Sequence, residues 1–273
     1  MNYRLVTWRK LSICLGRGLS FLMDFKGRNV LITGGGNGIG AATARKFSGY
    51  GANVIVTDWD GAAAESVAKE IVGSGGIALG LKLDVTKIEE WKAAAASIHS
   101  AYGKVNVVFN NAYFRIVKPA HLTSVEEWDE QIDVNFGGIH KSVITFIQDL
   151  QDTNGAMVNT SSVHAHFGFL GSGVYAATKG GIVSLSNQLA VEYGPKVRVN
   201  AVLPGPIMTR AWHAATDENF DEAIRGNPMH RMGLPDEVGE AVCFLASDKA
   251  SFISGASLLV DGGFSAQKES SKN

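Results

Sequence analysis

The chain has 273 residues, of which 45% are hydrophobic and 19% charged, and its formal net charge is −1 at pH 7. A charge so close to zero argues against nucleic acid or an anionic membrane surface as a partner. The two cysteines are too few for a disulfide framework or a cysteine-rich zinc site, and no run of about 18 apolar residues predicts a transmembrane helix.

Residues 1–23 differ from the rest of the chain, because they contain four basic residues and no acidic one. Arg17 and two glycines interrupt the apolar residues, and no A-x-A site follows, which is a poor fit to a secretory signal. We predict an N-terminal extension that is either poorly structured or presequence-like. The predicted location is the cytoplasm, with import into an organelle through the extension as the alternative.

From Asp24 onward, short apolar runs rich in β-branched residues alternate with longer helical patterns. This alternation predicts one doubly wound, Rossmann-type α/β domain over residues 24–267, followed by a polar tail over residues 268–273. The predicted sheet has seven strands and is mostly parallel, because its apolar runs suit strands covered by helices on both faces. The strand candidates are Asn29–Thr33, Asn53–Asp58, Ala78–Leu83, Val105–Asn110, Ala156–Ser161, Arg198–Leu203 and Ser257–Val260. The helix candidates are Gly38–Tyr50, Ala62–Ser74, Ile88–Tyr102, Ser124–Asp152, Tyr175–Tyr193 and Pro235–Ala246.

The first predicted strand runs into the glycine-rich loop TGGGNGIG, Thr33–Gly40. Two nucleotide-binding spacings fit this loop: G-x-G-x-x-G/A beginning at Gly36, and G-x-x-x-G-x-G through Gly34, Gly38 and Gly40. Glycines without Cβ atoms let the backbone approach a pyrophosphate, and the following helix directs amide donors at it. The loop therefore predicts a bound dinucleotide.

Asp58 ends the second predicted strand, where a carboxylate accepts hydrogen bonds from ribose hydroxyls and repels a 2′-phosphate. Neither Asn37 nor Trp59 supplies a cation for a 2′-phosphate. This pattern predicts NAD as the cofactor, with NADP the less favoured choice. The alternative is an aspartate that only opens the turn DWDG.

Tyr175 and Lys179 are spaced by four residues, which places both side chains on one face of a helix. An adjacent ammonium favours the phenolate and brings the pKa of a phenol towards neutral pH. Ser162 ends a predicted strand, where its hydroxyl can donate to a developing oxyanion. Asn135, on an otherwise apolar helix, either bonds to neighbouring backbone or holds a water that relays protons from Lys179.

These motifs, together with LDV, NNA, VNF, NTSS, RVNAVLPGPIMT and LLVDGG in this order, resemble the compact branch of the short-chain dehydrogenase/reductase family from Asp24 to about Ala266. The resemblance implies that the spacing through Gly34, Gly38 and Gly40 is the one in use. The catalytic residues that it implies are Asn135, Ser162, Tyr175 and Lys179. The cofactor-binding residues that it implies are Gly34, Asn37, Gly38, Ile39, Gly40, Asp58, Asp84, Val85, Asn111, Ala112, Tyr175, Lys179, Pro204, Gly205, Ile207 and Thr209.

Two departures from the family pattern lie near the expected substrate pocket. Tyr113 follows NNA where the family usually has glycine, and bulky residues follow Ser162 where small ones are common. Family members also use the segment corresponding to residues 207–234 as a mobile lid. The candidate substrate contacts are His164, Tyr113, Phe167 and Trp212.

No metal site is predicted, because no carboxylate or cysteine joins His164 and His166 in sequence. Pocket lining and plain packing both remain open for these histidines.

Together the motifs predict an NAD-dependent oxidoreductase that interconverts a secondary alcohol and a ketone, with Tyr175 as general acid and base. The alternatives are a non-catalytic dinucleotide-binding sensor or scaffold, and an NADP-dependent ketone reductase. An epimerase or dehydratase on the same fold is a further rival. Since family members are mostly homotetramers, the resemblance implies a homotetramer that acts on a small alcohol or ketone.

Overall fold

The structure is a computed structural model and describes residues 23–212 and 216–267. The predicted tail, and all of the predicted extension except Met23, lie outside the described residues. The domain boundaries drawn from the sequence therefore stay predictions.

Seven strands form one sheet in the order β3-β2-β1-β4-β5-β6-β7, and every neighbouring pair is parallel. The apolar strands β1, β4 and β5 are buried along their whole length, because helices cover both faces of the sheet. The prediction of a doubly wound α/β fold is confirmed, and the sheet is parallel throughout rather than mostly parallel. The strands are β1 Asn29–Thr33, β2 Asn53–Asp58, β3 Ile77–Lys82, β4 Val107–Asn110, β5 Ala156–Thr160, β6 Arg198–Pro204 and β7 Ser257–Val260.

Helices pack on both sides of this sheet and bury two hydrophobic clusters. One face carries α1, α2 and α8 around Phe47, and the other carries α3, α5 and α6 around Trp91 and Phe146. The helices of the described residues are α1 Gly38–Gly49, α2 Gly61–Gly73, α3 Ile88–Tyr102, α4 Val125–Ile132, α5 Gly138–Thr153, α6 Gly173–Tyr193, α7 Asp217–Arg225 and α8 Pro235–Ala246.

The predicted helical stretch Ser124–Asp152 is found from Val125 to Thr153, with a π-helical turn at Asp133–Gly137 between α4 and α5 that the sequence pattern does not predict. At this point the chain passes close to its neighbours: a Cβ atom added at Gly138 would lie 3.1 Å from the Cβ of Val85. Single π-helical turns inside helices frequently occur at functional sites. This one carries Asn135.

The segment 207–234 leaves the sheet edge after β6 and returns to the same place. Ile207 and Gly233 form a parallel bridge, and the amide of Met208 donates to the carbonyl of Gly233 at 2.9 Å. The amide of Gly233 donates in turn to the carbonyl of Pro206 at 2.9 Å. These bonds join the two ends of the segment, and we call this joint the neck. The described part of the segment beyond the neck includes α7.

Candidate active site

The carboxyl ends of the parallel strands gather most of the predicted site residues at one edge of the sheet. The glycine loop follows β1, Asp58 ends β2, and Asn111 follows β4. Ser162 follows β5, and the segment that begins at Pro204 follows β6. Residues far apart in sequence therefore meet at this edge because all seven strands run in the same direction.

The glycines of the loop have different structural reasons to be glycine. Gly34 and Gly38 have φ angles of 60° and 53°, a region that residues with a Cβ atom rarely adopt. A Cβ atom added at Gly40 would lie 2.1 Å from the carbonyl oxygen of Gly34, and one at Gly36 would lie 2.9 Å from Oδ2 of Asp58. The loop thus packs tightly against itself and against Asp58, just where α1 begins.

Asn111 fastens this loop to the end of β4. Its side-chain nitrogen donates to the carbonyl oxygens of Thr33 and Gly34, at 3.2 and 3.0 Å. Its backbone amide and that of Ala112 both donate to the hydroxyl of Thr33, at 3.0 and 3.1 Å. Asn111 therefore orients the glycine loop through direct hydrogen bonds.

Asp58 is buried, and its carboxylate closes the far side of the loop. Oδ2 accepts the amide of Gly36 at 2.9 Å, and Oδ1 accepts the amide of Asp60 at 3.1 Å. Lys82 stands opposite Asp58 in the register of β2 and β3, although no ion pair joins the two in the part of the chain that the structure describes. Sequence reasoning missed this lysine, because strand register cannot be read from spacing along the chain.

Asp84 and Val85 follow β3 and form hydrogen bonds with residues that come shortly after them in the sequence. Oδ1 of Asp84 accepts the amide and the hydroxyl of Thr86, at 2.9 and 2.7 Å, which forms a local turn. The carbonyl of Val85 accepts the indole N–H of Trp91 at 3.0 Å. These contacts shape the loop, and binding of the cofactor by Asp84 and Val85 stays a prediction.

The segment after β6 faces the glycine loop from the other side of the sheet edge. A Cβ atom added at Gly38 would lie 3.5 Å from Cγ2 of Thr209, so the Thr209 side chain lies beside the glycine loop. Ile207 is buried, and Gly205 lies against Asp261 with no room for a side chain. The glycine loop and the segment after β6 thus lie next to each other at the carboxyl edge of the sheet.

Tyr175 and Lys179 lie in the first two turns of α6, next to Ser162. Lys179 is 1% exposed, and its ammonium donates to the carbonyl of Thr160 at 2.7 Å. The Nζ atom of Lys179 is 5.3 Å from the centroid of the Tyr175 ring. Burial lowers the pKa of Lys179 to about 7, since an apolar environment disfavours the charged form.

The phenol of Tyr175 is harder to ionise in this environment than in water. Burial, together with the neighbouring Tyr113, raises the pKa of Tyr175 to about 12. A hydrogen bond with Ser162 and the positive charge of Arg115 act in the opposite direction on this pKa. The ammonium of Lys179 points at a backbone carbonyl instead, so its expected effect on the phenol stays a prediction.

Asn135 uses its side-chain amide to hold the backbone beside the site. Its Oδ1 accepts the amide of Phe114 at 2.7 Å, and its Nδ2 donates to the carbonyl of Phe114 at 2.8 Å and to the hydroxyl of Thr178 at 3.4 Å. Both N–H donors of the amide are therefore in use. Of the two alternatives, this arrangement is bonding to neighbouring backbone, and a relay water stays a prediction.

Two of the four candidate substrate contacts lie beside Tyr175. The ring of His164 is 5.1 Å from that of Tyr175, and the ring of Tyr113 is 6.3 Å away. Trp212 instead packs on Phe220 within the segment 207–234, with ring centroids 5.4 Å apart.

Phe167 is the fourth candidate, and its described ring contact is with His166 at 6.4 Å.

Burial is the main reason that the pKa of His164 falls to about 4, so this imidazole is neutral at neutral pH.

Three further residues complete the surroundings of Tyr175, and sequence reasoning missed all of them. Phe169 lies 4.2 Å from the ring of His164, and Phe264 stacks on Phe169 at 6.2 Å. The guanidinium carbon of Arg115 lies 5.3 Å from the centroid of the Tyr175 ring. No motif marks these residues, because the fold rather than sequence spacing brings them together.

The described residues contain no group of three or more metal-ligating side chains, and none of their helices is long and apolar enough to span a membrane.

Comparisons with known proteins cover most of the chain. A family model described as enoyl-(acyl carrier protein) reductase matches residues 34–265. The 3beta-hydroxysteroid dehydrogenase 1 of Eggerthella lenta is 36% identical over 248 residues, which cover 88% of this chain and 94% of the relative. The meso-2,3-butanediol dehydrogenase of Serratia marcescens is 35% identical, with 89% of this chain and 97% of the relative covered.

A third relative, the cyclohexanol dehydrogenase of an Acinetobacter strain, is 36% identical over 248 residues, with 89% of this chain and 97% of the relative covered. Among solved structures, a short-chain dehydrogenase/reductase from Brucella melitensis, titled glucose/ribitol dehydrogenase, superposes with a TM-score of 0.85. It is 30% identical and covers 89% of this chain and 98% of its own.

Proposed function

Because this chain belongs to the short-chain dehydrogenase/reductase family and is an oxidoreductase of alcohols and ketones, we propose that it uses NAD and that Tyr175 is its general acid and base. The single observation that carries the proposal is the cluster of Tyr175, Lys179 and Ser162 at the strand edge that also holds the glycine loop. Bound NAD⁺ would supply the hydride acceptor, and NADH the hydride donor. The protein positions the alcohol and moves its proton.

Tyr175 removes the hydroxyl proton during alcohol oxidation and returns it to the oxygen during ketone reduction. Ser162 donates a hydrogen bond to the same oxygen and stabilises the charge that develops there. Lys179 is buried with its Nζ atom 5.3 Å from the Tyr175 ring, and a positive charge at that place favours the phenolate form of Tyr175. Asn135 forms two hydrogen bonds to the backbone of Phe114 and thereby keeps the chain beside the site in place.

The glycine loop suits a dinucleotide, because Cβ atoms at Gly36 and Gly40 would clash and the loop leads directly into the N-terminus of α1. Asp58 would bind the adenosine ribose, and the segment 204–209 would hold the nicotinamide. The residues proposed to bind the cofactor are Gly34, Asn37, Gly38, Ile39, Gly40, Asp58, Asp84, Val85, Asn111, Ala112, Tyr175, Lys179, Pro204, Gly205, Ile207 and Thr209.

The names of the relatives support a neutral secondary alcohol on a ring or a short chain as a first substrate to try. A panel containing cyclohexanol, 2,3-butanediol and a 3-hydroxysteroid, with NAD⁺ or NADP⁺, would be followed at the nicotinamide absorbance. Turnover with NAD⁺ supports the proposal. A chain that binds NADH yet turns over none of the panel favours the alternative, a sensor or scaffold.

Asp58→Asn is expected to shift the preference between the cofactors towards NADPH by about tenfold or more. The asparagine keeps an acceptor for the amide of Gly36 but removes the charge that repels a 2′-phosphate, and one such charge contact corresponds to about 1.5–3 kcal/mol. The ratio of the Kd values for NADH and NADPH, from fluorescence titration, measures the shift.

Asp60→Asn is the matched control, since Asp60 lies two residues further and caps the start of α2. This variant is expected to keep the ratio of the wild-type protein. Tighter binding of NADPH than of NADH by the wild-type protein would overturn the choice of NAD and favour the NADP-dependent ketone reductase.

A homotetramer is supported by apolar side chains that remain exposed on the helices that family members pair. Val125 and Trp128 on α4, Ile144 on α5 and Val191 on α6 are 70%, 46%, 58% and 80% exposed. We expect light scattering to give the mass of four chains. The mass of one chain at micromolar concentration would contradict this assembly.

The proposed location is the cytoplasm. Imaging of the chain fused to a fluorescent protein at its C-terminus, with and without residues 1–23, would test it. Organellar signal that depends on those residues would instead support import.

A further inference from the structure

Arg115 places a positive charge directly beside the proposed general base. Its guanidinium carbon lies 5.3 Å from the centroid of the Tyr175 ring, and its Nη2 donates to the hydroxyl of Ser172 at 2.7 Å. Ser172 is 1% exposed and immediately precedes α6, so this hydrogen bond anchors Arg115 to the helix that carries Tyr175. The anchor holds the guanidinium at the site while the residue itself remains exposed.

No carboxylate neutralises this charge among residues 23–212 and 216–267. The ion pairs of these residues do not include Arg115, whereas Lys118, on the same loop, pairs with Glu127. A guanidinium has five N–H donors, and the hydrogen bond to Ser172 uses one of them. The remaining donors are available to a ligand that enters beside Tyr175.

The other polar groups near Tyr175 do not compete for an anion. The ammonium of Lys179 is buried and points at the carbonyl of Thr160. His164 is neutral at neutral pH, because burial and the nearby positive charges lower its pKa to about 4. Arg115 is therefore the one permanent cation that the described residues place around the Tyr175 ring.

The remaining surroundings are aromatic. The rings of Tyr113 and His164 lie on Tyr175, and Phe169 and Phe264 continue the wall from His164. Aromatic faces suit a flat or cyclic carbon skeleton, and they lower the local dielectric constant, which strengthens a charge contact at their edge. A planar guanidinium fork matches the two oxygens of a carboxylate.

We propose that Arg115 determines specificity by binding a carboxylate of the substrate, so that the preferred substrates are cyclic hydroxy acids and the corresponding keto acids. This inference rests on the proposed function and names a substrate class for the same site. In oxidation the carbinol carbon transfers a hydride to NAD⁺ and the hydroxyl proton passes to Tyr175. The carboxylate on Arg115 is unchanged by the reaction.

The test compares 3-hydroxycyclohexane-1-carboxylate with its methyl ester, which has a similar shape and no charge. The wild-type protein is expected to oxidise the acid with a kcat/KM about 10- to 100-fold above that of the ester, the range of one good charge-assisted contact. In Arg115→Gln the ratio of acid to ester is expected to fall to about one. Arg115→Lys, which keeps the charge but not the fork, is expected to give an intermediate ratio.

Lys118→Gln is the matched control, because it removes a cation from the same loop at a position already paired with Glu127. This variant is expected to keep the wild-type ratio. Equal kcat/KM values for acid and ester in the wild-type protein would overturn the proposal. An Arg115→Gln variant that loses kcat equally on both probes, with a shifted pH profile, would also overturn it and make Arg115 a positioning residue for Tyr175.

The proposed function fails separately. Suppose that cyclohexanol or 2,3-butanediol is oxidised with NAD⁺, but that neither 3-hydroxycyclohexane-1-carboxylate nor its methyl ester is oxidised. The inference about Arg115 is then overturned, and the proposed function stands. If none of the alcohols is oxidised, both the proposed function and the inference about Arg115 are overturned.

Discussion

Tyr175→Phe is expected to lower kcat by about 10²- to 10⁴-fold, the range that a positioned general acid or base contributes. The change removes one oxygen atom and leaves the ring that packs against Tyr113 and His164. The Kd for NADH is expected to change little, because the glycine loop and Asp58 lie elsewhere on the sheet edge. Steady-state kinetics at the nicotinamide absorbance and a fluorescence titration with NADH measure the two quantities.

The control is Tyr193→Phe, which removes the same atom at the opposite end of α6. It is expected to leave kcat unchanged. A Tyr175→Phe variant that turns over substrate at the wild-type rate would contradict the proposed mechanism.

The direction of the pH dependence follows from the same phenol. With its pKa raised to about 12 by burial, Tyr175 is protonated at neutral pH and ready to donate a proton in ketone reduction. Alcohol oxidation instead needs the phenolate. Oxidation is therefore expected to speed up as pH rises from neutral, whereas reduction is expected to stay nearly constant until the pH approaches 12; initial rates of both directions against pH measure this difference.

Gly40→Ala is expected to weaken NADH binding by about 100-fold, since a displacement of about 1 Å in a binding loop can have an effect of that size. Its Cβ atom would lie 2.1 Å from the carbonyl oxygen of Gly34 and 2.8 Å from Nδ2 of Asn111. Because the first of these is a backbone atom held by β1, the loop must move. The same crowding is expected to lower the free energy of unfolding by about 1–3 kcal/mol.

Gly49→Ala is the matched control, because Gly49 ends the same helix, α1, and a Cβ atom there would meet nothing within 4 Å. Alanine is the better helix former, so this variant is expected to gain up to about 1 kcal/mol and to bind NADH normally. Titration and urea denaturation of both variants separate the two effects. Normal NADH binding by Gly40→Ala would show that the glycine loop does not contact the cofactor.

Most of the fold could be predicted from the sequence because each strand has a recognisable local sequence pattern. NVLIT, NVIVT and the run around Phe109 are apolar and β-branched, and each is followed by a polar or glycine residue where the strand ends. Since parallel strands share one edge for their carboxyl ends, predicting the strands also placed Asp58, Asn111 and Ser162 near one another. Tyr175 and Lys179 were recognisable because four residues separate neighbours on a helix face.

What the sequence could not predict depends on contacts between distant segments. The π-helical turn at Asp133–Gly137 lies in a run that is helical by pattern, and it coincides with the bonds of Asn135 to Phe114 and the close passage of Gly138 past Val85. Arg115 belongs to a loop without a motif, and only the fold brings it to Tyr175. The same holds for the position of Lys82 across from Asp58.

The neck formed by Ile207 and Gly233 makes the segment between them an exchangeable module. Because the two ends are already bridged, the length of the insertion matters little to the sheet: doubling a flexible loop costs only about 0.6 kcal/mol of closure entropy. The length of this stretch can therefore change at little cost to the sheet, provided that Thr209, which lies beside Gly38 and belongs to the proposed cofactor site, is retained. The outer part of the segment, around α7, can thus diverge while the glycine loop and the Tyr175 helix stay as they are.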